Sequence, residues 1–144
     1  MTFWPYGTKF QKGDGATPEV FADIASVYEV IPGEMTRDEI DFTNHGSGAY
    51  GYREFMGGLR DAGSYEINGN WDPTNATHNG TTGVLAAFES DDNSNWRLQL
   101  PDTLGRFDFA GFVSSYKVET PLEEQGKISV TVKVSGRPTF TESV

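Results

Sequence analysis

The chain has 144 residues and carries 21 acidic against 11 basic side chains, a net charge of −10. That charge excludes a broad phosphate-gripping surface, because a nucleic acid would be repelled over most of it. There is no cysteine, so disulfides, thiol catalysis and thiolate metal centres are excluded as well.

The length fits one domain, and 36% hydrophobic residues are enough to order it. No apolar run reaches signal-peptide or membrane-span length, so a chain made and kept in a cytoplasm is expected. After an aromatic leader, "GTKFQKGDG" reads as a short strand closed by a turn at Gly13-Asp14-Gly15. The run from Ala16 to Glu34 is open on local rules. Thr17 before Pro18, with Phe21, Ile24, Val27 and Ile31 at helical spacing, argues for a helix; its β-branched residues and the Pro32-Gly33 turn argue for a strand. Ile40 and Phe42 alternate with Asp41 and Thr43 as a strand that enters a long glycine-rich loop, residues 44–63.

"SYEINGNW" predicts a further strand, ending at the Asn68-Gly69 turn signal. Val84, Leu85, Ala87 and Phe88 behind Thr81 as cap predict one helix of about three turns. Trp96, Leu98 and Leu100 form the next strand face. In the strand that follows, Phe107 and Phe109 give way to Phe112, Ser114, Tyr116 and Val118, a slip of one residue that places a β-bulge at Ala110-Gly111. The stretch "KISVTVKVSG", residues 127–136, alternates strictly. Ile128, Val130, Val132 and Val134 take one face; Ser129, Thr131, Lys133 and Ser135 take the other, as in a half-buried antiparallel strand.

Several motifs invite chemistry and fail in context. "GSGAYG", Gly46–Gly51, matches the dinucleotide fingerprint, with Glu66 twenty residues after its first glycine. The strand before it alternates, however, and the helix that should follow is cut at Gly57-Gly58. Asp91, Asn93, Asn95 and Asp102 have calcium-loop spacing, but Trp96 stands where the turn glycine belongs. His45 and His78 lack a second strong ligand at metal spacing. Asp38 with Asp41, and Glu123 with Glu124, read as solvated acids, and Ser47 lacks a nucleophile-elbow setting. The reading is therefore of no enzyme: no catalytic residue, no metal and no cofactor.

The order and spacing of "GTKFQKGDG", the long run from Phe21 to Pro73, "NWRLQLPD" and the close from Phe107 to Phe140, with Gly136-Arg137-Pro138 after the terminal strand, resemble the lambda-type tail tube (major tail) proteins of long-tailed bacteriophages. The resemblance implies a mainly β fold: an antiparallel β-sandwich with one flanking α-helix, whose strands join between protomers into a continuous inner β-barrel of a hexameric ring. It makes residues 19–31 a strand, and residues 1–144 a single tail tube domain with no appended immunoglobulin-like domain. It implies stacked rings forming a tube that delivers DNA without specific binding. The implied partners are further copies of the chain, a tape measure protein, and tail tip or terminator proteins. The implied location is the virion tail, assembled in the host cytoplasm. Within the 44–63 loop, Tyr50, Tyr52, Arg53, Phe55, Met56 and Leu59 are the expected contacts to an adjacent ring. The alternatives are a small acidic β-sandwich that binds carbohydrate on Trp4, Trp71 or Trp96, and a nucleotide-using enzyme built on Gly46–Gly51.

Overall fold

The computed structural model describes residues 2–142 except Ser47 and Ala49. In chain order the strands are β1 (Lys9–Gly13), β2 (Phe21–Asp23), β3 (Val27–Pro32), β4 (Thr36–Asp41), β5 (Phe55–Asp61), β6 (Ser64–Asn70), β7 (Ser94–Gln99), β8 (Gly105–Glu119) and β9 (Lys127–Glu142); one helix, α1 (Val84–Glu89), lies between β6 and β7. Seven strands form one antiparallel sheet in the order β2-β1-β7-β8-β9-β6-β3, and β4 pairs with β5 apart from it.

The two longest strands make this single sheet into two layers. The first half of β8 pairs with β7 on one side and with residues 139–142 of β9 on the other. The second half of β8 pairs with the first half of β9, which also pairs with β6. Between them the ladder is broken: Asp108 faces Thr139 while Ala110 faces Ser135, leaving residues 136–138 of β9 as extra chain. The sheet folds over at this irregularity. Tyr65 of β6 then stacks on Phe109 of β8 at 4.6 Å, and Phe10 of β1 lies 5.7 Å from Trp96 and 6.0 Å from Tyr65. These rings, with Ile67, Leu98, Val113 and the four aliphatic residues of β9, form the core. The alternation of residues 127–136 is realised as predicted, and the strand continues to Glu142.

Four expectations are corrected. The face reversal in β8 lies not at Ala110-Gly111 but at Ser114, where Val113 faces Val132 and Ser115 faces Thr131; Phe112 is therefore exposed and Val113 buried. Gly111 has a different task, since its carbonyl accepts the buried indole N–H of Trp96 at 3.1 Å. Asn68-Gly69 is no turn but the interior of β6. Glycine is required there because a Cβ would meet the Ser26 carbonyl at 2.7 Å.

The helix has six residues instead of three turns, and its N-cap is Gly83. Asn79, not Thr81, holds the chain entering it: its Oδ1 accepts from the amides of Thr81, Thr82 and Gly83 at 3.1, 2.9 and 3.2 Å. Val84 and Ala87 are buried, whereas Phe88 is exposed beside Tyr116. The open run resolves as strands β2 and β3, joined by a turn around Ser26.

His78, 1% exposed, secures that turn. Its Nε2–H donates to the Ala25 carbonyl at 2.6 Å and its Nδ1 accepts the Asp72 amide at 3.0 Å. The Thr77 hydroxyl accepts the Ala25 amide at 3.0 Å. Replacing His78 with Ala orphans two backbone groups and empties a buried volume, an expected loss of about 3 kcal/mol. Calorimetry should register a melting point lower by roughly 10 °C, with the β signature retained below it.

Candidate assembly site

The segment predicted as a loop over residues 44–63 is strand in its second half. β5 pairs with β4 from Thr36↔Asp61 to Asp41↔Phe55, with a register shift between Arg37 and Glu39. Gly57 and Gly58, read from sequence as part of the glycine-rich loop, serve packing across this ribbon. The Arg37 guanidinium lies where a Cβ on Gly57 would stand, and its Nε–H donates to the Gly58 carbonyl at 3.2 Å. The true connection, residues 42–54, is pinned at its base. Phe42 N–H donates to the Glu54 carbonyl at 3.1 Å, and Glu54 N–H donates to the Thr43 hydroxyl at 2.6 Å. Ser47 lies outside the described residues.

Together β4, β5 and their connection form an arm. It continues the β3–β6 hairpin, which closes at Pro32↔Tyr65 and at Gly33 N–H to the Ser64 carbonyl, 2.6 Å, but it shares none of the body's core. No residue of β4 or β5 is buried. Ile40 and Met56 are paired on one face of the ribbon and Phe55, opposite Asp41, lies on the other, while the register shift between Arg37 and Glu39 interrupts the alternation before Leu59. Leu59 is 82% exposed and Tyr50 is 95% exposed. A two-stranded ribbon with apolar groups on both faces is marginal in water.

Of the six residues singled out from sequence, Tyr50, Tyr52, Phe55, Met56 and Leu59 are exposed on this arm. Arg53 differs, because its guanidinium is tied to Asp41 at 3.1 Å. The hydroxyl and amide of Thr43, together with Arg53, hold the Asp41 carboxyl below the usual carboxylate range. Arg53 thus braces the arm's connection.

The body presents a second surface. In the layer made of β3, β6, the first half of β9 and the second half of β8, the outward face is polar along its two central strands, where Glu66 and Asn68 of β6 lie beside Ser129, Thr131 and Lys133 of β9, and carries Ile31 and Phe112 on its marginal strands. Its two margins, β3 and the second half of β8, have no strand partner on their outer sides among the described residues. Such edges are pairing templates.

The other sequence candidates are dispersed. Trp96 is wholly buried and Trp71 packs against the core, so of the three tryptophans named for a carbohydrate platform only Trp4 is exposed, stacked on Tyr6 at 5.1 Å. Gly46–Gly51 leads into strand β5 instead of a phosphate-binding helix. The Asn95 amide donates to the Glu19 carboxylate at 2.7 Å from within β7. His78, which the sequence set aside only as a metal ligand, is buried.

The molecule exposes 9675 Å², against about 7,300 Å² for a compact monomer of its mass. A protruding apolar arm and a polar layer with two open edges are features of an assembly subunit, with surfaces that lack partners among the described residues. Residues 4–141 match the family described as "Lambda phage tail tube protein, TTP", and the chain belongs to that family. It is a structural protein of the virion tail and not an enzyme.

No curated protein matches the chain by sequence. Among solved structures, it is similar in fold to a chain of the virion of the native gene transfer agent particle, with TM-score 0.75 and 15% identity over 97% of this chain and 99% of that one. A chain in the tail of the empty gene transfer agent particle, refined with C6 symmetry, gives TM-score 0.70 and 18% identity over 92% and 95%. A chain of an extracellular contractile injection system's sheath-tube complex gives TM-score 0.71 and 12% identity over 98% and 92%.

Proposed function

We propose that the protein closes into homohexameric rings, that these stack into the tail tube, and that DNA passes through the bore on its way to the host. The observation that carries this reading is the pair of open edges on the polar-faced layer. Joining β3 of one protomer to the second half of β8 of the next extends the layer around the ring and leaves no edge exposed.

Six copies of a four-stranded layer, at about 4.8 Å per strand, give a barrel of roughly 37 Å backbone diameter before strand tilt widens it. That is wide enough to pass a DNA duplex. The C6 symmetry of the gene transfer agent tail supports six. In this arrangement the polar face of Ser129, Thr131 and Lys133 lines the bore, and the arm, with Tyr50, Tyr52, Phe55, Met56 and Leu59, lies against the adjoining ring. Arg53 holds the arm's connection in shape. The tube ends on terminator proteins, in keeping with the "sheath/tube terminator" assembly in which a similar chain is found, and a tape measure protein occupies the bore before DNA does.

Electron microscopy of the purified protein over a concentration series is the test. Tubes with sixfold end views are expected once nucleation is overcome. Small particles at every concentration, or a closed dimer that never extends, would refute the assembly.

A further inference from the structure

The polar face of the β3-β6-β9-β8 layer carries three lysines among its described residues, Lys117, Lys127 and Lys133, and each is held by a carboxylate of the same chain. Lys133 Nζ donates to Asp61 Oδ1 at 2.6 Å, from β9 to the foot of the arm. Lys127 lies 2.8 Å from Glu124 and Lys117 lies 3.0 Å from Glu119. The face also carries Glu29 and Glu66, set beside Asn68 and Thr131 in the ladders, and neither is in an ion pair with any of the described residues. Carboxylates therefore outnumber ammonium groups, and no lysine of the face is left without its own counterion.

We infer that these pairs mask the luminal lysines from passing phosphate, with Asp61 serving as the built-in counterion of Lys133. The inference rests on the proposed bore-lining role of this face. A lone exposed ammonium attracts phosphate and exchanges its counterions for it. Repeated around every ring of a tube, such a contact becomes a drag on the whole polymer. An intramolecular carboxylate at hydrogen-bond distance competes with each phosphate locally, without requiring the bore to be free of lysine. Lys133 shows the design most plainly because its partner comes from a distant part of the chain, 72 residues away in sequence. The ammonium of Lys133, followed by the Gly63 amide, holds the Asp61 carboxyl below its ordinary range, so the carboxylate stays charged at neutral pH.

The test uses virus particles whose tails are built from variant chains, with tail integrity checked by electron microscopy and DNA release followed with a DNA-binding dye. Asp61→Asn keeps the acceptor for the Gly63 amide and frees Lys133. It should slow release at least threefold at about 10 mM salt, where the screening length is about 30 Å, and have little effect near 1 M, where it is about 3 Å. Adding Lys133→Gln to Asp61→Asn should restore the parental rate. Glu66→Gln removes the same charge from the same face without freeing an ammonium and should slow release less than half as much; equal slowing would make net charge the cause and overturn the masking.

Thr131→Arg, an added unpaired cation, calibrates the face. If it slows release while Asp61→Asn does not, masking fails and the bore assignment stands. If neither acts, the face is not luminal and both fail. A second measurement on the free chain does not depend on assembly: Lys133 in Asp61→Asn should react with an acylating reagent at least threefold faster than in the parent, with Lys117 unchanged. Equal rates would show that the pair does not mask.

Discussion

Val132→Asp is expected to abolish folding. Val132 is 0% exposed and sits in the ladder between Tyr65 of β6 and Val113 of β8, both themselves core residues. No basic group belongs to the core cluster, so an aspartate there is either charged without a partner or protonated, and taking up a proton at pH 7 from an ordinary value near 3.9 costs about 4 kcal/mol. Loss of the buried valine adds about 1.5–3 kcal/mol. Their sum, roughly 6–7 kcal/mol, is as large as the whole stability of many ordinary domains. Thr131→Asp, one residue away on the polar face, should melt as the parent does. Circular dichroism of the two variants decides the matter: a cooperative melt of Val132→Asp within a few degrees of Thr131→Asp would mean that the faces of β9 are misassigned.

The second large effect is expected at the arm. Replacing residues 35–61 by a two-residue Asn-Gly turn leaves β3 and β6 paired through Pro32↔Tyr65 and Val30↔Ile67 and removes no core residue. The shortened protein should fold with a near-parental melting point and form no tubes at any concentration. A milder version changes a single contact. Leu59→Glu forfeits the burial of one leucine, about 1.5–3 kcal/mol, which is roughly 10- to 150-fold in each contact it weakens. Sedimentation should then show the onset of polymerisation moved to correspondingly higher concentration. An arm-less protein that fails to fold would place the arm in the body's stability, and an arm-less protein that still polymerises would remove it from the assembly.

Much of the body was legible because alternation in a half-buried strand is a direct record of its two faces. Residues 127–136 and 94–99 announced their inward residues, and the apolar groups between Tyr50 and Leu59 are exposed, as their glycine-rich setting suggested. What misled were residues whose role lies in a distant neighbour. Gly57 looks mobile until Arg37 is placed over it, Gly69 looks like a turn until the Ser26 carbonyl is placed against it, and Gly111 looks like a bulge until the Trp96 indole is seen to need its carbonyl. His78 left no periodic trace, because a side chain that fastens one loop to another obeys no strand or helix spacing. The run through β2 and β3 carried two conflicting local patterns, and pairing of β3 with β6 decided between them. Asp61 and Lys133 are likewise separated by 72 residues, and only the close approach of the arm's foot to β9 makes them a pair.

The placement of β9 in the sheet has a bearing on synthesis. It is the last strand of this sheet to leave the ribosome, yet it stands between β8 and β6 in the order β2-β1-β7-β8-β9-β6-β3. Before it emerges, the nascent protein holds two disconnected pieces, β2-β1-β7-β8 and β6-β3, that face each other with no strand to join them. The four aliphatic residues Ile128, Val130, Val132 and Val134 are also still missing from the interior. The margins proposed to join the ring, β3 and the far half of β8, belong to different pieces and acquire a fixed separation only when β9 zips both together. An unfinished chain therefore has no rigid pair of edges to offer a neighbour, and translation itself orders the events: completion first, assembly after.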